Sequence, residues 1–288
     1  MIIDAHAHLW KKQSGIVNGK PVYDIGGGRS NFGGEIKQMM PPYMTDGENT
    51  AERFLANMDY AGVSGAVITQ EYIDGNQDEY LLSCKSDRVK ICALYEEKEM
   101  GDISDFDGIK ICAGRLKDKN LLNHLEPFIF AEKNGKFISI DLADGDEQTA
   151  EMQKIAEMFP KLRIAIGHFG MVTRENWLKQ IKLAKNENVF IESGGITWLF
   201  NSEFYPYPSA VKAINEAADL VGYEKLMWGS DYPRTMTAIT YKMSLDFIEK
   251  TTEISEENKR LILGENARKF YGFKDLPVPQ KVKNMVED

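Results

Sequence analysis

The stretch FISIDLADGDEQTAEMQKIAEMFPKLRIAIGH, residues 137–168, decides the fold. It opens on a short apolar run, Phe137–Asp141, passes through a helical segment, Gln148–Met158, that Pro160 ends, and closes on a second apolar run, Leu162–Gly167. A strand, a helix and a strand in this order make a βαβ unit, whose parallel strands are covered on both faces. The pattern continues in both directions. Upstream, Met1–His6, Gly65–Thr69, Val89–Leu94 and Gly108–Cys112 read as strands; downstream, Val189–Glu192 and Leu226–Gly229 do. Helical segments near residues 50–61, 78–83, 121–132, 175–184, 208–221, 238–250 and 256–271 separate nearly all of them. Eight such strands in 288 residues predict an α/β chain folded as one (β/α)8 TIM barrel over residues 1–288. Two segments stand outside the pattern. Lys11–Thr45 is Gly-rich and reads as an irregular loop insertion of the kind that serves as a functional lid. The tail after Phe273 reads as a peripheral extension.

Acidic residues number 44 against 35 lysines and arginines, a net charge of −9. The chain therefore lacks the Lys/Arg field that grips nucleic acid, and its charge opposes binding to an anionic membrane surface. No apolar stretch approaches the ~20 residues a membrane span needs. The N-terminus MIIDAHAHLW has neither the basic start nor the long apolar run of a secretion signal. Cys84, Cys92 and Cys112 form no Cys-x-x-Cys pair, so a disulfide framework is not expected and a cytoplasmic, reducing location is. Nothing supplies a Cys/His nucleophilic pair.

Three of the four histidines fall at predicted strand ends. His6 and His8 flank one Ala, and residues i and i+2 of a strand point the same way, so both imidazoles can face one point at the barrel mouth. Imidazole is a good ligand for zinc and related divalent ions. His168 follows the sixth strand, and Asp231, in WGSDYPR, follows the eighth. A carboxylate there can bind a metal, accept a proton from a metal-bound water, or cap a helix. The fourth histidine, His124, lies among apolar residues in LLNHLEPF and reads as structural.

IDAHAH, IGHFG, WGSDYPR and GENARKFYGF together resemble the amidohydrolase superfamily, and within it the amidohydrolase 2 branch. That branch includes sugar-acid lactonases, pyrone-dicarboxylate lactonase and non-oxidative decarboxylases of the aminocarboxymuconate-semialdehyde and resorcylate type. The segment LANMDYAGVSGAVITQEYIDGNQDEYLL resembles the lactonase side. The resemblance implies that His6, His8, His168 and Asp231 hold a divalent metal, zinc or manganese, or polarise the substrate directly as in metal-free relatives. It implies that His168 holds the attacking water or the substrate carbonyl. Asp231 would be the general base, and Asp4 would orient a histidine. There is one departure: many members carry a metal-binding histidine at the end of the fifth strand, where this chain has FISIDLADGD, with Asp141 or Asp144 as the oxygen ligands at hand. Lys110, on the fourth strand, is a candidate for the carbamylated bridging lysine of binuclear relatives, though a lysine there more often contacts a substrate anion or forms a salt bridge.

Arg234 and Arg115 can each pair with a substrate carboxylate, or equally serve as a surface or structural ion-pair residue. Tyr232, Trp198 and Tyr72 lie near strand ends and are expected to line the pocket, with Trp10 as a wall. The resulting expectation is a hydrolase opening a small carboxylated or sugar-acid lactone through an Asp-activated water. The alternatives are a non-oxidative decarboxylase of an aromatic or unsaturated acid, which the missing histidine counts against, and a non-catalytic binding barrel. The partner expected is a small molecule, with a homodimer as the ordinary oligomeric state.

Overall fold

The computed structural model describes residues 1–280, 283 and 285. Twelve strands occur among them: β1 (Ile3–His8), β2 (Ile16–Val17), β3 (Lys20–Gly26), β4 (Arg29–Phe32), β5 (Glu35–Gln38), β6 (Gly65–Thr69), β7 (Val89–Leu94), β8 (Gly108–Cys112), β9 (Phe137–Asp141), β10 (Arg163–Ile166), β11 (Val189–Glu192) and β12 (Leu226–Met227). Eight of them form one parallel sheet in the order β1-β6-β7-β8-β9-β10-β11-β12. Hydrogen bonds from Ala5 N–H to the Trp228 carbonyl and from His8 N–H to the Tyr232 carbonyl, each 2.9 Å, carry β1 back to the β12 end and close the ring. The fold is a (β/α)8 barrel, as the alternation of strands and helices predicts.

Alternate residues of each strand divide the core. Ile68, Ile91, Ile138, Ile164 and Ile191 pack outward with the helices, while Val67, Cys92, Phe137, Ala165 and Met227 form an inner cluster. Phe270, Tyr271 and Phe273 plug that cluster from below. Leu276, inside the predicted peripheral tail, is buried there too. In β1 the register slips between Asp4 and Ala7. Ile3 and Ala5 belong to the inner cluster and Ala7 to the outer one, so the bulge resets the phase and leaves His6 and His8 on the inner face.

The 11–45 segment is not irregular. β2 to β5 form a four-stranded antiparallel sheet of their own. Its three hairpins turn on Asn18-Gly19, Gly27-Gly28 and Gly33-Gly34, and all six residues have positive φ. Two-residue hairpin turns need positive φ at both positions, which is the reason for the Gly pairs. The glycine density that reads as a loop is a set of hairpin signals.

Candidate active site

The mouth of the barrel gathers two adjoining groups of side chains. In the first, His6 Nδ1 donates to Glu192 Oε1 at 2.6 Å, and the other Glu192 oxygen accepts the Gly194 N–H at 2.6 Å. This bond fixes the His6 proton on Nδ1 and leaves Nε2 as a lone pair. That lone pair lies 3.0 Å from His8 Nε2 and 3.8 Å from Asp231 Oδ1, while His8 Nε2 is 2.9 Å from the same oxygen. Trp198 donates its indole N–H to the other Asp231 oxygen at 2.6 Å. His6, His8, Glu192 and Asp231 are all buried. Glycine makes the approach possible: a Cβ on Gly194 or Gly229 would crowd both His6 and Glu192.

His6, His8 and Asp231 form one of the groups in which three ligand atoms come within 4.8 Å of one another. Two imidazole nitrogens and a carboxylate oxygen suit zinc and related divalent ions, and a 3.0 Å gap between the nitrogens is one that two ligands of a single ion can take at bonds of ~2.0–2.1 Å. His8 Nδ1 is buried without a partner. Burial first, and then the Arg234 cation, hold the His8 imidazole well below its ordinary pKa, so it stays neutral and able to ligate.

In the second group, the Lys110 ammonium lies 2.6 Å from Asp141 Oδ2. His168 Nδ1 donates to the Gly194 carbonyl at 2.9 Å, and its Nε2 faces Asp141 Oδ2 at 3.5 Å and Glu71 Oε1 at 4.0 Å. Burial opposes all these charges, yet the partners prevail. Asp141 and Glu71 raise both Lys110 and His168, and those two cations hold Asp141 well below the usual carboxylate range. The His6 and His168 rings are 4.7 Å apart, so the two groups share one floor. His168 and Asp231 both have left-handed backbone, at φ 52° and 56°, an uncommon conformation that recurs at functional sites.

A cleft of about 1020 Å³ opens over this floor, lined by His8, Glu71, Asp141, His168, Trp198, Asp231, Arg234 and Arg115, with Phe32 and Lys37 from the antiparallel sheet. Arg234 donates Nη2 to Asp74 Oδ2 at 2.5 Å and brings Nη1 to 3.6 Å from Asp231 Oδ1. Its Nε and Nη1 are buried with no hydrogen-bond partner. Arg115 reaches Glu71 at 3.6 Å and is nearly half exposed.

The structure thus brings together His6, His8, His168, Asp231, Trp198, Arg234 and Arg115. It does not bring Tyr232, which faces outward beneath the mouth against Phe54 and Tyr241, since its backbone pairs with β1 and its side chain takes the opposite face from Asp231. Lys110 lies under the cleft, engaged by Asp141, and is not on its lining. Tyr72 donates its hydroxyl to the Tyr95 carbonyl and leaves the cleft. Asp4 orients no imidazole; it accepts from the His6 and Ser230 backbone, the Ser230 hydroxyl and the Tyr241 hydroxyl, fixing β1 to the 230 loop. Trp10 stands behind Arg234, 5.9 Å from its guanidinium carbon. Asp144 pairs with Arg174 at the rim, whereas Asp141 takes the fifth-strand position inside. His124 is structural, donating Nε2 to the Asp118 carbonyl and accepting the Tyr95 hydroxyl. Sequence reasoning missed Glu192, Glu71 and Asp74. Glu192 carried the one usable signal, a carboxylate closing the apolar strand VFIE.

Residues 137–273 match the family model described as Amidohydrolase, the amidohydrolase 2 type, and the resemblance read from the sequence motifs is borne out. The fold is shared with solved structures over nearly the whole chain. A probable 2-pyrone-4,6-dicarboxylic acid hydrolase from Acinetobacter baumannii, with citric acid bound, is 18% identical with a TM-score of 0.67, covering 94% of this chain and 99% of that one. An amidohydrolase from Burkholderia multivorans with bound zinc is 14% identical at a TM-score of 0.67, covering 95% and 100%. The 5-carboxyvanillate decarboxylase of Sphingomonas paucimobilis is 16% identical at a TM-score of 0.54, covering 79% and 84%. No curated protein is significantly similar in sequence.

Proposed function

We propose that this chain is a divalent-metal-dependent hydrolase that opens the ring ester of a small carboxylated lactone. One observation carries the reading: Asp231, buried and ionised, is fixed by the Trp198 indole through one oxygen and presents the other to the cleft beside His6 and His8. Burial would raise the Asp231 carboxyl, but the His8 hydrogen bond and the Arg234 cation hold it below the usual range. His6, His8 and Asp231 would hold the ion, zinc or manganese, whose chemistry is to acidify water and polarise a carbonyl. Asp231 accepts the proton of the attacking water and returns it to the departing ring oxygen. His168, kept protonated by Asp141 and Glu71, donates from Nε2 to the oxygen that gains charge. Arg234 offers an unpaired N–H to a substrate carboxylate, and Arg115 stands at the rim for another.

The three cysteines are unpaired, in keeping with a reducing cytoplasm. Among the described residues no helix is long and apolar enough to cross a membrane.

The test is elemental analysis of protein purified without chelator or polyhistidine tag, followed by a panel of carboxylated and sugar-acid lactones on the parent and on Asp231→Asn. About one ion per chain and lactone turnover lost in the variant support the reading. Carbon dioxide release from resorcylate-type or muconate-type acids, without lactone opening, replaces it by decarboxylation. Ligand-induced thermal shifts with no turnover replace it by a binding barrel.

A further inference from the structure

The antiparallel sheet β2–β5 is joined to the reaction centre by an unbroken run of buried polar contacts. Ser30, on β4, donates its hydroxyl to Gln13 Oε1 at 2.5 Å. Gln13 donates its amide to Asp74 Oδ1 at 3.1 Å. The other Asp74 oxygen holds Arg234 through Nη2, and Arg234 Nη1 faces Asp231 Oδ1 at 3.6 Å. Ser30, Gln13 and Asp74 are each no more than 2% exposed. A buried Ser–Gln–Asp chain with no access to solvent costs stability unless each group is satisfied, and here each one satisfies the next.

The backbone around this chain is equally fixed. Ser14 N–H bonds to the Asp74 carbonyl and Ile16 N–H to the Tyr72 carbonyl, each at 3.0 Å, so the root of the sheet lies along the loop after β6. There is no space between them: a Cβ on Gly15 would overlap the Ile73 carbonyl, and one on Gly75 would overlap Ser14. The loop so clamped carries Glu71 at one end, facing His168, and Asp74 at the other, holding Arg234.

We infer that Ser30, Gln13 and Asp74 are positioning residues for substrate recognition, which set the Arg234 guanidinium at the angle that presents its unpaired N–H groups to a substrate carboxylate. The sheet is then a working wall of the site and not a passive cover. Arg234 has five N–H groups in a rigid fork, and a free N–H meets a carboxylate well only when the fork is held at the right angle. Asp74 takes Nη2, the nitrogen common to both bidentate edges, and so leaves Nε–H and Nη1–H as separate single donors. Gln13 prevents Asp74 from rotating, and Ser30 prevents Gln13 from rotating. The inference rests on the carboxylated-substrate reading proposed above.

Isophthalate separates the two. It is a planar ring with two meta carboxylates and no ester to open. Its binding is measured by calorimetry on the metal-loaded parent, on Ser30→Ala, Gln13→Leu, Asp74→Asn and Arg234→Ala, and on the Ser30→Ala/Arg234→Ala double variant, with a melting curve for each. The parent binds. Arg234→Ala and Asp74→Asn raise Kd about tenfold or more, the scale of a charge-assisted hydrogen bond, and Ser30→Ala and Gln13→Leu raise it about threefold. In the Arg234→Ala background Ser30→Ala has no further effect, which a general loosening of the fold would not reproduce. The inference is overturned if the parent binds and Arg234→Ala weakens binding while the other three single variants bind as the parent does. It is also overturned if Ser30→Ala costs the same with and without Arg234. A parent that does not bind isophthalate at all refutes the carboxylated-substrate reading, and this inference with it.

Discussion

The two halves of the barrel mouth hold the same kinds of side chain and balance their charge differently. Around Lys110, His168, Asp141 and Glu71, two cations face two carboxylates, and the group neutralises itself. Around His6, His8, Glu192 and Asp231 there are two carboxylates and no lysine, and the nearby Arg234 is shared with Asp74. Lone pairs converge in the second case and salt bridges close in the first. Histidine at a barrel mouth is therefore not by itself a metal signal. What distinguishes the two halves is whether the protein supplies its own cation. Here Lys110 occupies that part in one half, and the proposed metal ion would occupy it in the other.

Four outcomes sharpen or break this contrast. The largest is expected for Asp231→Asn, which removes the proposed base and a proposed ligand from the unneutralised half; turnover of the best lactone should fall by about 10³-fold or more. A variant within tenfold of the parent in kcat would mean that the base lies elsewhere. Next comes Lys110→Met in the neutralised half. It strands the Asp141 charge in the interior, and urea unfolding should show a loss of about 3–5 kcal/mol; unchanged stability would show that Lys110 is not the internal cation. Glu192→Gln weakens the acceptor that fixes the His6 proton, and competition with a chelator should report metal binding weakened about 10–100-fold. An equal loss of metal from Lys110→Met would erase the distinction between the halves.

The smallest effect concerns Asp4, beneath the unneutralised half. Burial raises its pKa from 3.8 to about 6 despite the hydrogen bonds it accepts. Between those values the folded state binds more protons than the unfolded one, so the stability Asp4 contributes is full below about pH 4 and is lost as pH rises through 6. The parent should lose at most about 1.4 kcal/mol per pH unit in that window from this group. Asp4→Asn should abolish that part of the slope in chemical denaturation measured from pH 4 to 7; an identical slope in both proteins would place the titration on another group.

The barrel and the first half of its mouth were legible because their signals are local. Eight apolar runs, a His-x-His at a strand end and an Asp directly after the last strand each lie within a few residues. What was not legible depends on contacts distant in sequence or on side-chain phase. Glu192 meets His6 across 186 positions, and a lone glutamate gives no sign of that. Tyr232 adjoins Asp231 but takes the other face of the chain, and Lys110 was readable as a strand lysine but not as the partner of Asp141. The hairpins at 16–38 were hidden because dense glycine marks a loop as readily as a tight turn, and only the positive φ at both turn positions, as a type I′ turn requires, tells the two apart.

The closure of the barrel also bears on how the protein comes into being on the ribosome. β1, with both its histidines, emerges first, but its second neighbour is the segment at 226–232, and His8 meets Asp231 across 223 positions. The plug formed by Phe270, Tyr271 and Phe273 arrives later still. A nascent chain thus carries two imidazoles and no third ligand for most of its synthesis, which takes tens of seconds at ~5–20 residues per second. The three groups proposed to hold the ion come together only when the 226–232 segment joins β1, so metal uptake would report a closed ring.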